Sequence, residues 1–272
     1  MSPASTEQFL LEQYTGHPAS QLQDLRKALY QSVFGCGHLI TDTSAAAEGI
    51  RKEAVEAGPC SREIETLDGP WSRVHLGVLA DGLTPETLAC IFARSAAMPH
   101  GGADTLQEKL TILRRLIRSG ALPYSPAEAD AELDDWQKNG FPACRHSEEY
   151  RAAYRPAYRV LHCTYVRLLP LLAAIDRTLK QKSRVLLAIE GGAASGKSTL
   201  AELLTVIYPD TVLFHADDFF LRPEQRTAAR YAQPGGNLDR ERLEAEILAP
   251  ISRNEVAIYR PFDCHTLSLR EP

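Results

Sequence analysis

Hydrophobic spacing divides the chain into two textures. Through about the first 180 residues, apolar side chains recur every three or four positions, which predicts helices. Leu22, Leu25, Leu29 and Val33 form one stripe, and Gly35 follows as a stop. Thr84-Pro85-Glu86 reads as a cap followed by proline at the first helical position, opening a helix over 84–97. Leu106, Leu110, Leu113 and Ile117 form a third stripe, closed by Gly120. Ser125-Pro126-Ala127-Glu128 reads as a capping box, and Gly140 ends the helix it starts. A last helical stretch is expected over 147–179, with breaks at Pro156 and Pro170. Residues 71–79, WSRVHLGVL, are the one stretch here with strand character.

The texture changes near Asp176. A polar stretch over 178–183 leads into Val185-Leu186-Leu187-Ala188-Ile189, a continuous apolar run of strand length. Such a run suits a central parallel strand buried on both faces. A Gly-rich turn follows, then Leu200, Leu203, Leu204 and Ile207 on one helical face. Val212-Leu213-Phe214 reads as a second strand and Val256-Ala257-Ile258-Tyr259 as a third. Between them Leu243, Ile247 and Leu248 suggest a helix stopped by Pro250. Strand, helix and strand in this order predict a parallel sheet with right-handed crossovers. The expected architecture is a mainly α-helical domain over 1–180, followed by an α/β domain over 181–272.

Composition narrows the class. A hydrophobic share of 44% suffices to bury a core, so disorder along the whole chain is excluded. Thirty basic residues against 35 acidic ones give a net charge of −5, unlike the footprint of a dedicated nucleic-acid binder. The apolar stretch over 166–175 is interrupted by Arg167 and Pro170 and is too short for a membrane span. The N-terminal residues lack the basic and apolar regions of a signal peptide. Cys36, Cys60, Cys90, Cys144, Cys163 and Cys264 are scattered without metal-type spacing, and read as free buried thiols. A cytoplasmic protein is expected; its oligomeric state is left open.

The sharpest chemical signal is Gly191-Gly192-Ala193-Ala194-Ser195-Gly196-Lys197-Ser198-Thr199, a full match to GxxxxGK[ST]. Small residues let backbone N–H groups turn inward around phosphate oxygens. The helix N-terminus that follows adds its positive dipole end. Lys197 is expected to reach the β- and γ-phosphates of ATP, and the Ser198 hydroxyl to ligate Mg²⁺. The bland alternative, a chance Gly-rich turn, is opposed by the strand and helix expected on either side.

Asp217 and Asp218, in His215-Ala216-Asp217-Asp218-Phe219-Phe220, stand where the second strand is expected to end. A carboxylate there faces the phosphate loop, able to take a proton from an attacking hydroxyl or to hold a metal-bound water. Two adjacent aspartates point in different directions, so one is expected to act and the other to cap or pack.

GGAASGKSTL, HADDFFL, PGGNLDRERL and YRPFDCHT, in this order, resemble the uridine kinase and phosphoribulokinase group of P-loop kinases over about 184–270. More narrowly they resemble its bacterial uridine-kinase-like members, some of which carry similar N-terminal extensions. The resemblance implies a P-loop NTPase fold, ATP and Mg²⁺, and a small-molecule phosphoryl acceptor; neither nucleic acid nor a membrane is expected as a partner, given the composition above. It makes Asp217 the base and a metal contact, and Arg260, Asp263 and His265, with Asp218, substrate contacts. Phe262 replaces a family Tyr, and His265 comes sooner than the family pattern has it, which leaves nucleoside specificity open. Asp263 and His265 equally fit ordinary turn chemistry. The later strands and the lid arginines of that family have no counterpart here. The parallel sheet is therefore expected to be incomplete at the C-terminus, as in a truncated kinase, with an exposed strand edge and apolar face. A non-catalytic ATP-binding regulator, a partner-binding protein or an inactive fragment of a longer kinase is the alternative.

In the N-terminal region Tyr150, Tyr154 and Tyr158 alternate with Arg151, Arg155 and Arg159. On one helix they would form adjacent aromatic and guanidinium stripes, suited to an anion or to a packed face beside a solvated one. His38 and His75 read as core histidines before metal ligands, and Phe34-Gly35-Cys36-Gly37-His38 as a tight turn.

Overall fold

The computed structural model describes residues 6–36, 40, 42–59 and 61–271. The chain divides into two compact units, Met1–Ala188 and Ile189–Pro272. His38, Gly37 and Cys60 lie outside the described residues.

The first unit is helical around a small sheet. Its elements are α1 (Thr6–Gly16), α2 (Leu22–Phe34), α3 (Thr43–Ala57), β1 (Ile64–Thr66), β2 (Trp71–His75), α4 (Pro85–Ala96), α5 (Ala103–Arg118), α6 (Pro126–Lys138), α7 (Glu148–Tyr154), β3 (Tyr158–His162), α8 (Cys163–Val166) and α9 (Leu169–Leu179). The apolar stripes of α2 and α5 meet: Leu25, Leu29, Leu106, Leu110 and Leu113 are buried in one core with Leu133 and Trp136 of α6. Each buried leucine contributes about 1.5–3 kcal/mol of hydrophobic stabilisation. Gly35 ends α2 with φ +64°, and a Cβ there would come within 2.6 Å of the Trp71 indole. Glycine is needed both for that conformation and for that approach.

Helix starts follow the local chemistry. Thr84 caps α4, its hydroxyl accepting from the Thr87 amide at 3.2 Å, with Pro85 in the first turn. The buried Asp176 of α9 accepts from the Thr84 amide at 2.7 Å and from the Thr87 hydroxyl at 3.0 Å, so the two helices share one carboxylate. Pro126 opens α6, but Ser125 makes no side-chain cap bond.

The sheet is antiparallel, in the order β1-β2-β3. The strand expected over 71–79 ends at His75 and passes into a 3-10 turn, Leu76–Asp81. The long helix expected over 147–179 is also corrected. Arg155 takes φ +44° at the end of α7, and Tyr158–His162 then crosses to pair with β2. Tyr150 and Tyr154 thus sit on a helix and Tyr158 on a strand, and the alternating stripes do not form. Pro156 blocks helix continuation, and pairing with β2 supplies the backbone partners instead.

In the second unit α10 (Lys197–Ile207) is followed by short turns of helix, among them Arg240–Leu243, a π turn at Glu244–Leu248, and Ala249–Ser252. β4 (Phe262–Asp263) and β5 (Ser268–Leu269) make an antiparallel hairpin. The expected parallel sheet is absent among the described residues, and the P-loop NTPase fold with it. The three apolar runs beginning at Val185, Val212 and Val256 form no strand. Leu186, Val212, Val256 and Ile258 are instead 66%, 72%, 83% and 66% exposed. The physical reason is that a strand requires a partner ladder; an apolar run without one has β propensity but no β structure.

Candidate functional site

The Gly-rich segment forms an exposed turn ahead of α10. Ala194 has φ +56° and Gly196 φ +86°, so the chain doubles back before entering the helix. Gly191 is tightly placed: a Cβ would lie 2.6 Å from the Ser195 hydroxyl oxygen. Lys197 opens α10, and its Nζ donates to the carbonyls of Gly191 at 2.8 Å and Gly192 at 2.7 Å. The lysine thereby folds back across its own loop. Ser198 and Thr199 occupy the first turn of α10 and are exposed. Their amides are among those left without intrahelical acceptors at a helix start. Leu204 and Ile207 on the opposite side are buried and anchor the helix.

Asp217 lies on a 3-10 turn, Ala216–Phe219, with its side chain exposed and without a hydrogen bond or ion pair among the described residues. Neighbouring residues hold that turn. Phe219 is fully buried, stacks on Tyr259 at 5.3 Å, and lies 4.5 Å beneath the Arg242 guanidinium. Arg242 donates to the carbonyls of Asp218 and of Arg260, the latter at 2.5 Å. Asp239, also buried, takes the Arg242 amide at 3.1 Å and the Gln225 side chain at 3.0 Å.

The expected substrate contacts fare differently. Asp218 accepts from the Tyr259 hydroxyl at 3.1 Å, and Arg260 pairs with Glu246 at 3.6 Å. Asp263 shapes the β4–β5 turn: its carboxylate accepts from the His265 amide at 2.8 Å and from Arg270 at 3.1 Å. The His265 amide, foremost, holds that carboxyl below its ordinary range. The His265 ring is exposed. Among the described residues no group of three or more His, Cys, Asp or Glu side chains is placed to hold a metal ion. Of the cysteines described, Cys36 is buried and Cys264 exposed, and Cys36, Cys90, Cys144, Cys163 and Cys264 are free thiols.

Sequence reasoning passed over a buried polar network in the first unit. Asp24, in the first turn of α2, accepts from His146 Nδ1 at 2.8 Å and from the Ser147 amide at 3.0 Å. His146 Nε2 meets the Tyr158 hydroxyl at 2.6 Å, and Gln31 donates to that hydroxyl at 3.3 Å. Gln31 in turn accepts from Arg73 Nε at 2.8 Å. Arg73 Nη1 pairs with Glu65 at 3.2 Å, and its guanidinium lies 5.1 Å from the Tyr158 ring centre. Burial pushes the His146 imidazole down to about 4, although Asp24 pulls the other way. The neutral ring therefore donates from Nδ1 to Asp24 and accepts at Nε2 from Tyr158. No local signal marks this network, because Asp24 and His146 stand far apart in sequence; His146-Ser147 preceding Glu148 reads simply as a helix start.

No helix of the described residues is long and apolar enough to cross a membrane. Protein-family models, curated proteins and solved structures offer no match to this chain.

Proposed function

We propose that the second unit is the nucleotide-handling part of a cytoplasmic, ATP-dependent kinase, one that moves the γ-phosphoryl group to a hydroxyl of a small metabolite, a nucleoside being one such acceptor. The observation that carries this reading is the exposed turn over 191–196, which leads directly into a helix opened by Lys197-Ser198-Thr199. Free amides at the helix start, the helix dipole and one ammonium group would together favour phosphate oxygens there. With polyphosphate bound, Lys197 would exchange its two loop carbonyls for phosphate oxygens, a charge-assisted contact of greater strength.

Mg²⁺ keeps several waters and takes one or two protein oxygens beside the phosphates, and with ATP bound the Ser198 hydroxyl and Asp217 would supply them. Asp217, exposed and unpaired among the described residues, is open to accept the acceptor's hydroxyl proton. Positioning and electrostatics supply most of the catalysis in such transfers. The test is ATP binding by calorimetry beside ATP consumption over a panel of nucleosides and small alcohols. Asp217→Asn should keep ATP binding and lose transfer; full transfer by this variant would remove Asp217 as the base. Binding without turnover across the panel would favour a regulator that senses ATP.

A further inference from the structure

One stretch of the first unit is attached through polar and aromatic contacts rather than an aliphatic core. From Pro142 to Pro156 the buried residues are His146, Ser147 and Tyr150. By contrast α5 buries four leucines and an isoleucine. The bonds of the stretch converge on α2. Lys27 donates to the Cys144 carbonyl at 2.9 Å, and Gln23 to the Arg145 carbonyl at 2.7 Å. Asp24 then takes His146 Nδ1, the Ser147 amide and the Ser147 hydroxyl, the last at 2.5 Å, and the Gln21 amide at 2.9 Å as a fourth donor. Tyr150 stacks on the His146 ring, with centres 4.1 Å apart and planes 6° from parallel. A segment with few buried apolar side chains is of the kind that opens by itself, ahead of global unfolding.

His146 is the titratable group at the centre of this attachment. Facing its ring are Asp24 and Lys27 on α2, Arg73 on β2, Tyr158 on β3 and Tyr150 on α7. A second proton on the ring would go to Nε2, where the Tyr158 hydroxyl now donates. The Tyr158 oxygen already accepts from Gln31, and the Gln31 carbonyl oxygen is taken by Arg73. The displaced phenol proton would therefore lose its acceptor in a buried place, which is costly. Asp24 favours the imidazolium, but its four donors already occupy its lone pairs, while burial, Arg73 and Lys27 all oppose the added charge. Once the stretch lifts from α2, water solvates the ring and the proton binds at its ordinary pH.

We infer that residues 142–156 form a polar latch on α2 that opens locally as pH falls, with protonation of His146 as the trigger. Linkage sets the size of the effect. The ring titrates at about 4 in the closed latch and at the ordinary 6.5 in the open one. The latch is then at full strength above about pH 6.5 and weakens toward pH 4. Its open fraction should rise about twentyfold between pH 7 and pH 5.

The experiment is amide hydrogen exchange of the full chain by mass spectrometry from pH 7 to pH 5, corrected for the intrinsic pH dependence of exchange. Peptides over Glu148–Tyr154 report the latch, and peptides over Ala103–Arg118 report the core in the same sample. The latch should be at least about tenfold more open than the core at pH 7, and its opening should rise about twentyfold by pH 5. His146→Gln keeps a donor for Asp24 and an acceptor for Tyr158 but cannot titrate, so its rise should stay below about threefold. Should that variant fail to fold, the His146 imidazole resonance of the parent carries the test, with a midpoint expected below about pH 5. Latch peptides that exchange in step with the core, a parent rise below about threefold, a full rise in folded His146→Gln, or an imidazole midpoint at pH 6 or above would each overturn the inference.

Discussion

The two units use apolar sequence in opposite ways. In Met1–Ala188 the stripes close on one another, and Trp71 is 1% exposed although it sits on a strand of five residues. In Ile189–Pro272 apolar residues such as Val256, at 83%, and Ile258, at 66%, face outward, while burial gathers around Phe219, Leu221, Ile247 and Phe262. The contrast shows that hydrophobicity has structural consequences only where a complementary surface meets it. The polar groups follow the same division. The first unit buries Arg73, Asp24 and His146, whereas the second leaves Lys197, Ser198 and Asp217 accessible.

The largest effect expected from a single change tests whether accessibility marks function. Lys197→Ala should reduce ATP affinity by about a hundredfold or more and abolish turnover, since it removes the one ammonium group at the loop. Its thermal midpoint should stay within a degree or two of the parent's, since among the described residues Lys197 bonds to its own loop carbonyls and to no other group. Unchanged ATP affinity would break the proposed function while leaving the contrast between units intact.

Trp71→Ala probes the other side. It should cost about 3–5 kcal/mol in urea denaturation, because the indole is buried against Gly35. A loss below about 1 kcal/mol would mean that this core is less consolidated than its burial implies.

The third prediction concerns pH. The His146 titration in the folded protein lies near 4, below the ordinary value of 6.5, so between these values the unfolded chain binds more protons. Stability is then fully present above about pH 6.5 and declines toward pH 4, by up to about 3 kcal/mol. Asp24 adds to the loss further down: burial pushes its carboxyl up, but the hydrogen bonds from His146, Ser147 and the Gln21 amide together hold it below the ordinary value. Denaturant midpoints at intervals from pH 7.5 to 4 should show this decline, and His146→Gln should flatten it. A His146→Gln curve as steep as the parent's would place the proton uptake elsewhere.

The smallest expected effect is equally informative. Val256→Thr, at an exposed position, should change stability by no more than about 0.5 kcal/mol. A loss above about 1.5 kcal/mol by the same urea measurement would show that this run is covered in solution, and would erase the contrast drawn here.

Local chemistry was readable where it is self-contained. Thr84-Pro85 predicts a helix start because cap and proline act within one turn, and Thr84 caps α4 as expected. The loop before α10 was readable for the same reason: glycines and Lys197 act within nine consecutive residues. The spacing predicts helix over Tyr158–His162, yet the stretch is a strand, because that identity depends on Trp71–His75, more than eighty positions away. The expected parallel sheet fails for the same reason: its apolar runs have strand propensity but no ladder among the described residues.

By itself the sequence determined where α4 and α6 begin, which faces of α2 and α5 turn inward, and that a compact glycine turn precedes Lys197. These depend on periodicity and capping within a few residues. Tertiary structure alone decided which apolar runs find partners, and it brought Asp24, Arg73, His146 and Tyr158 into one network. Pairing and desolvation are properties of surfaces in contact, and chain neighbours do not encode them.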